Sequence, residues 1–252
     1  MRRNKLKERL YAGESVLGLF STVDSIELIE IAGLCGFDFT VIDCEHGAFS
    51  IEAVRKLIPA AELRGMTPLM RITDKLPSTI LRSLDIGTYG ILAPGVESAE
   101  EARRIVKSAK YYPMGQRGMA IPRAGDYGLM TEDYHSFANK NTLIAVQCES
   151  KAGMDHLEEI AAVEGIDVVF IGPFDLSQSL GVPGQIESQT VKAAIQTSLA
   201  KIQLAGKIAG IYAVDAEQAR QYIDMGFCFV LAGQDTDYFS QACRKMLEEI
   251  RA

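Results

Sequence analysis

FTVIDCEHGAFSIEAVRKLIPAAELRG (residues 39–65) contains the unit from which the fold is read. It opens on a short apolar run, FTVID, of the kind that forms a parallel strand covered on both faces. From Ile51 to Arg64 the apolar positions return at helical spacing, and Gly65 follows where a left-handed C-cap would redirect the chain. Between strand and helix stand Asp43, Glu45 and His46, polar groups at the end of a run that would otherwise stay buried.

The same unit recurs on both sides. Strands are expected at VLGLFS (16–21), FTVID (39–43), PLMRIT (68–73), GILAP (90–94), LIAVQCE (143–149), DVVFIGP (167–173), IAGIYA (208–213) and CFVLAG (228–233). Helical patterns fall at Ser25–Leu34, Ile51–Arg64, a stretch capped by Ser98 and Glu101 that runs to Ala109, Met154–Val163, Gln189–Ala205, Ala216–Met225 and Tyr238–Ile250. Strand then helix, about eight times over, is the pattern of a closed (β/α)8 TIM barrel, class α/β. A doubly wound open sheet fits less well, because no GxGxxG turn follows the first strand. No linker or low-complexity tract divides the chain, so a single barrel domain over residues 1–252 is expected.

Composition narrows the function. Lys and Arg number 26 against 33 Asp and Glu, a net charge of −7 that argues against nucleic acid or an anionic membrane as partner. Five cysteines stand singly with no CxxC pair, as in reduced cytoplasmic proteins. The basic start lacks the apolar stretch of a signal peptide, and no run reaches the roughly 18 apolar residues of a membrane span. A cytoplasmic protein acting on a small molecule is expected.

Four strand ends deliver chemistry: His46, Arg71, Glu149 and Asp175. An unpartnered polar group in a buried strand costs about 1–3 kcal/mol, so four such interruptions mark one rim of the sheet as a site. Glu149 and Asp175 end the fifth and sixth strands and become neighbours in a barrel. Two converging carboxylates suit a hard divalent cation, a general acid/base pair, or merely solvated loop acids. Cys148 should point away from the site, since adjacent strand residues face opposite sides. Gly172-Pro173 leads into a short turn that either exposes the amides of residues 174 and 175 to an anion or is an ordinary βα turn. Arg71 needs an anionic partner, either a structural ion pair or an anionic substrate. His46 titrates near neutrality and suits a general base, a metal ligand or a satisfied loop residue.

Taken together, LGLFS, GFDFTVIDCEHG, PLMRI, LDIGTYGILAPGVESAEEA, YYPMGQRG, VQCES, VEGIDVVFIGPFDLSQSLG and VLAGQDT occur in an order and spacing that are very specific. The chain resembles the HpcH/HpaI family of class II metal-dependent 2-keto-acid (pyruvate) aldolases, of the phosphoenolpyruvate/pyruvate-binding barrel superfamily. The resemblance implies cleavage of a 4-hydroxy-2-keto acid, such as a 2-keto-3-deoxy sugar acid or 4-hydroxy-2-oxoheptanedioate, to pyruvate and an aldehyde. It implies Mg2+, Mn2+ or Co2+ on Glu149 and Asp175, with pyruvate's carboxylate against Gly172 and the amides of Phe174 and Asp175, and Gln147 nearby. It casts Arg71 as the group that stabilises the enolate oxygen and His46 as the base, acting through a water. Asp85 would raise the basicity of the histidine, yet Asp85 precedes its strand and lies at the opposite barrel end. It could reach His46 only across a subunit interface, which suits a homo-oligomer; the resemblance suggests a hexamer built as a trimer of dimers. An oxaloacetate-type decarboxylase or other enolate-forming enzyme is the alternative on this scaffold, and a non-catalytic keto-acid-binding protein would not need the base.

The chain departs from that pattern at Phe174, where a small residue is usual, and at Tyr212, where an aliphatic one is common. It also diverges in the loop after Arg117, within the long connection 111–130 that is expected to act as a lid or subunit contact. All three departures fall on the aldehyde side.

Overall fold

The computed structural model describes residues 3–129 and 133–252. The chain runs α1 (Lys5–Tyr11), β1 (Val16–Ser21), α2 (Ile26–Leu34), β2 (Phe39–Asp43), α3 (Ile51–Leu63), β3 (Thr67–Arg71), α4 (Pro77–Asp85), β4 (Gly90–Ala93) and α5 (Ala99–Ala109). It continues α6 (Tyr134–Asn141), β5 (Leu143–Cys148), α7 (Lys151–Asp155), α8 (Leu157–Ala161), β6 (Val168–Ile171), α9 (Pro173–Ser179), α10 (Gln189–Leu204), β7 (Ile208–Ala213), α11 (Ala216–Met225), β8 (Phe229–Gln234) and α12 (Asp235–Arg251). The eight strands pair in parallel, each with the next, and β8 closes on β1. This is the expected (β/α)8 barrel.

Two apolar layers explain why the strands read as continuous apolar runs. Phe39, Val41, Leu69, Leu92, Ala145, Phe170 and Phe229 fill the barrel interior. Their strand neighbours Ile42, Met70, Ile91, Val146, Cys148 and Val169 pack outward under the helices. Both faces are buried, so neither shows alternation. Gly18 belongs to the interior: a Cβ there would stand 2.4 Å from the Phe39 ring, which itself lies 4.3 Å from the ring of Phe229.

The N-terminal end of the barrel is plugged. Leu6 and Leu10 of α1 enter the interior cluster, and Asn4 Nδ2 donates to the carbonyls of Tyr89 (3.1 Å) and Asn141 (2.8 Å). Asp167 gathers Lys7 (2.8 Å) and the Tyr11 hydroxyl (2.6 Å). Only the opposite end is left open for chemistry.

Three local readings need correction. The pattern at Met154–Val163 is two short helices, α7 and α8, meeting at the non-helical His156. Gly172-Pro173 opens a helix of two turns, α9, where a short turn was expected. Helix α4 was not among the expected helices: its N-cap is Leu76, with no side-chain cap, and only Ile80 and Leu84 mark its core-facing side. The long connection holds a kinked turn over Arg123–Gly128, with Asp126 and Tyr127 at φ 49° and 55°; Met130, at the connection's end, lies outside the described residues.

Lys110 is a buried cation at the closed end, 1% exposed, whose Nζ donates to the carbonyls of Asn139 (2.7 Å) and Thr142 (2.8 Å). Burial, then the like charge of Lys7, pulls its pKa down to about 7. The unfolded chain keeps that proton to about pH 10.4, so between pH 7 and 10 the unfolded state binds more protons and stability rises with pH. Denaturant titrations at pH 7 and pH 9 should show this rise, and Lys110→Met should flatten it. An unchanged slope would show that Lys110 does not titrate in that window.

Candidate active site

At the open end, the last residues of the strands converge on a cavity of about 370 Å³ lined by His46, Arg71, Gln147, Gly172 and Asp175, among others. Larger hollows of about 750 and 830 Å³ lie among the outer helices and the 111–118 segment, without converging carboxylates at a strand end. The structure brings His46, Arg71, Gln147 and Asp175 together at this end of the barrel.

Arg71 is held from three sides. The β2–β3 register sets Asp43 directly opposite Arg71. Nε donates to Asp43 Oδ1 (2.8 Å) and Nη2 to Oδ2 (2.5 Å), a bidentate pair buried to 7% and 2% exposure. Nη1 lies 3.2 Å from Glu45 Oε2, and the guanidinium carbon sits 4.4 Å over the Phe20 ring. Burial disfavours the guanidinium's charge, but Asp43 outweighs it and raises the pKa above the ordinary arginine range. Asp43 Oδ1 also accepts from the amides of Glu45 (3.1 Å) and His46 (3.3 Å), so one carboxylate shapes the turn that carries the histidine. The ion-pair alternative for Arg71 is therefore realised, while the same side chain still faces the cavity.

His46 projects with a side chain 66% exposed, its Nε2 3.9 Å from Glu45 Oε2. Asp85 is not brought to it. That carboxylate accepts from Arg117 Nη2 (2.6 Å) and borders a separate hollow with Arg55 and Arg123.

Glu149 follows β5 and is fastened by its neighbours. Oε1 accepts from the Gly95 amide (3.0 Å) and Oε2 from Gln147 Nε2. A Cβ at Gly172 would stand 2.5 Å from Glu149 Oε2 and 2.9 Å from Gln147 Nε2, so the glycine leaves the space that the two side chains occupy. Burial pushes the Glu149 carboxyl up to about 8, and the charges of Asp175 and Glu45 push the same way, against the hydrogen bonds from Gly95 and Gln147. Asp175 lies in the first turn of α9, at whose start Gly172 offers no side-chain cap. As second and third residues of that helix, Phe174 and Asp175 have amides with no intrahelical acceptor. Cys148 lies in the outer layer, away from the cavity, as expected.

The donor set fits a hard divalent cation. Glu149 and Asp175 repel one another and neither forms an ion pair among the described residues. Gln147 Oε1 is buried without a hydrogen-bond partner. Among the described residues no three His, Cys, Asp or Glu side chains cluster to enclose an ion. A pair of carboxylates with the remaining positions open is how Mg2+ and similar ions are held beside a substrate.

Asp43 and Glu45 are the site residues that sequence reasoning did not assign. A buried arginine calls for an acid, but which one answers it is set by the β2–β3 register. Gln234 and Asp237, which also line the cavity, gave no signal.

Known proteins share this barrel and much of its sequence. The HpcH/HpaI aldolase/citrate lyase family model matches residues 16–242. The chain is 39% identical over 246 residues to the 2-keto-3-deoxy-L-rhamnonate aldolase of Escherichia coli K12, covering 97% of this chain and 92% of that protein. A crystal structure of a family member from Burkholderia cenocepacia J2315 superposes with TM-score 0.94 at 33% identity, covering 99% of this chain and 100% of the other. The citrate synthase SbnG superposes with TM-score 0.89 at 31% identity, covering 98% and 97%. The barrel and these likenesses agree, and the chain belongs to the HpcH/HpaI aldolase/citrate lyase family.

Proposed function

We infer that the protein is a class II aldolase, a carbon–carbon lyase that cleaves a 4-hydroxy-2-keto acid to pyruvate and an aldehyde. The observation that carries this reading is the Glu149–Asp175 carboxylate pair, neither member in an ion pair among the described residues, near a fixed, buried Arg71. Bound at that pair, a divalent cation (Mg2+, Mn2+ or Co2+) supplies Lewis-acid polarisation of the 2-keto acid.

The chain's own groups do the rest. The amides of Phe174 and Asp175 receive the substrate carboxylate at the start of α9. The Gln147 carboxamide borders the same pocket. His46, through a water, takes the proton of the 4-hydroxyl. The C3–C4 bond then breaks, a carbonyl forms at C4, and the electron pair passes into the pyruvate enolate. Arg71, clamped by Asp43 and Glu45, holds a positive charge where the enolate oxygen becomes negative, with no reorganisation needed. Protonation at C3 releases pyruvate.

Metal removal is the decisive test. Chelator-treated protein should not exchange the methyl protons of pyruvate with deuterium, and Mn2+ or Mg2+ should restore exchange. Exchange without metal would sink the mechanism. His46→Ala should slow exchange by about 10²–10⁴-fold, the usual worth of a general base, while metal affinity measured by calorimetry stays nearly constant. Loss of the metal in that variant would make His46 a ligand instead.

A second reading, oxaloacetate-type decarboxylation through the same enolate, draws support from Phe174 and Tyr212, which alter only the electrophile side. The free cysteines suit a reducing cytoplasm. No described helix is long and apolar enough to cross a membrane.

Homo-oligomeric assembly is part of the proposal. Along α12 only Asp235 is buried, and Phe239, Met246 and Ile250 are 70%, 58% and 71% exposed. Such a stripe is characteristic of a face that another surface covers. A hexamer of three dimers would also give Asp85 of a neighbouring copy its route to His46. Sedimentation should show Phe239→Glu shifting the protein to smaller species; an unshifted profile would place the contact elsewhere.

A further inference from the structure

The cavity divides by strand. From β2, β3, β5 and β6 come the groups that aldol cleavage uses. From the remaining side come Phe20 at the end of β1, Tyr212 on β7, and Gln234 and Asp237 where β8 passes into α12, with Phe174 reaching over from α9. The Tyr212 ring stands 6.0 Å from Phe20 and 6.1 Å from Phe174, centroid to centroid, a continuous aromatic wall. Phe174 remains 48% exposed, so the wall extends to the mouth.

Beyond the wall the polar groups are mainly acceptors. Gln234 Nε2 donates to Asp237 Oδ1 (3.3 Å) and the Tyr212 hydroxyl also hydrogen-bonds the Asp237 carboxylate, so the carboxylate is held in place by neutral donors and keeps its negative charge, while the Gln234 amide oxygen faces the cavity with it. Burial and the charge of Asp237 push the Tyr212 hydroxyl up to about 12, so it stays a neutral phenol. Among the described residues no cation pairs with Asp237. The cavity's arginine is committed to Asp43 and Glu45, and no lysine lines it.

We propose that Asp237 and Gln234, with the aromatic wall, select the aldehyde by charge, admitting an uncharged hydroxyaldehyde and turning away an aldehyde that ends in a carboxylate. Hydroxyl groups donate to the Asp237 and Gln234 oxygens, while the carbon chain lies along Tyr212 and Phe174. A distal carboxylate would meet Asp237 with no counter-charge, and like charges brought together in a partly desolvated pocket are strongly disfavoured. The inference rests on the aldolase reading and supplies the half of the substrate which that reading leaves open.

The test compares kcat/KM for addition of pyruvate to glyceraldehyde and to succinic semialdehyde, using Mg2+- or Mn2+-loaded protein, with deuterium exchange of pyruvate measured alongside. Glyceraldehyde should be preferred by at least about tenfold, and Gln234→Arg, which adds a cation, should narrow or reverse the ratio by about tenfold. Asp237→Asn should narrow it in the same direction. Intact exchange with equal or better use of succinic semialdehyde overturns the charge selection and leaves the aldolase reading standing. A glyceraldehyde preference that neither variant moves overturns the assignment to Asp237 and Gln234. Absence of exchange overturns the aldolase reading, and this inference with it.

Discussion

Arg71→Ala is expected to damage folding and catalysis together. The substitution leaves Asp43, 2% exposed, without its bidentate partner and removes the nearest cation from Glu45. Breaking a buried pair by removing one member costs about 3–5 kcal/mol, because the surviving charge stays buried. Activity should fall by about 10²–10³-fold as well, the measured worth of one preorganised group at a developing oxyanion. Arg71→Lys separates the two roles. It keeps the charge but cannot span both Asp43 oxygens and Glu45, so it should recover part of the stability and little of the turnover. Denaturant unfolding and kcat on the same preparations decide the matter. A variant that is destabilised yet fully active would make Arg71 purely structural.

Glu149→Gln should act in opposite directions on stability and function. The change conserves volume and keeps an oxygen for the Gly95 amide, but deletes a buried carboxylate that Asp175 and Glu45 oppose. Metal-free protein should therefore melt at a higher temperature than wild type. Metal affinity should fall by more than about 100-fold, since even outer partners of metal ligands are worth 10–100-fold, and turnover should be lost with it. Gaining stability while losing function is the mark of a residue kept for its work. A lower melting temperature in the metal-free variant would count against the reading that Glu149 is strained for a cation. Calorimetric metal titration and thermal unfolding with and without Mn2+ give both numbers.

The eight strands were legible because each is buried on both faces and so appears as an apolar run, most with a glycine near the start. Polar interruptions at the strand ends then exposed the rim, since a charged group such as Arg71 has no place in such a run without a purpose. What escaped was non-local or unmarked. The Asp43–Arg71 pair depends on the β2–β3 register, which spans 28 residues and leaves no local trace. Helix α4 begins without a capping side chain, and α1 belongs to no βα unit. Gln234 and Asp237 are ordinary polar residues at the last strand's end, and only barrel closure brings them beside Phe20 of the first. Glu149, Asp175, His46 and Arg71 were found by their strand positions, whereas pyruvate itself came from the family resemblance.

The missing side chain at Gly172 has a consequence for anyone redesigning this protein. Because a Cβ there would collide with Glu149 and crowd Gln147, positions 147, 149 and 172 form an interlocked block in which no single change is silent. Positions 174, 212, 234 and 237 touch one another, ring to ring and through the Asp237 carboxylate, but none of them fills a space that a backbone glycine must leave open. A mutant library confined to those four sites would vary the acceptor while sparing the half of the pocket that handles pyruvate.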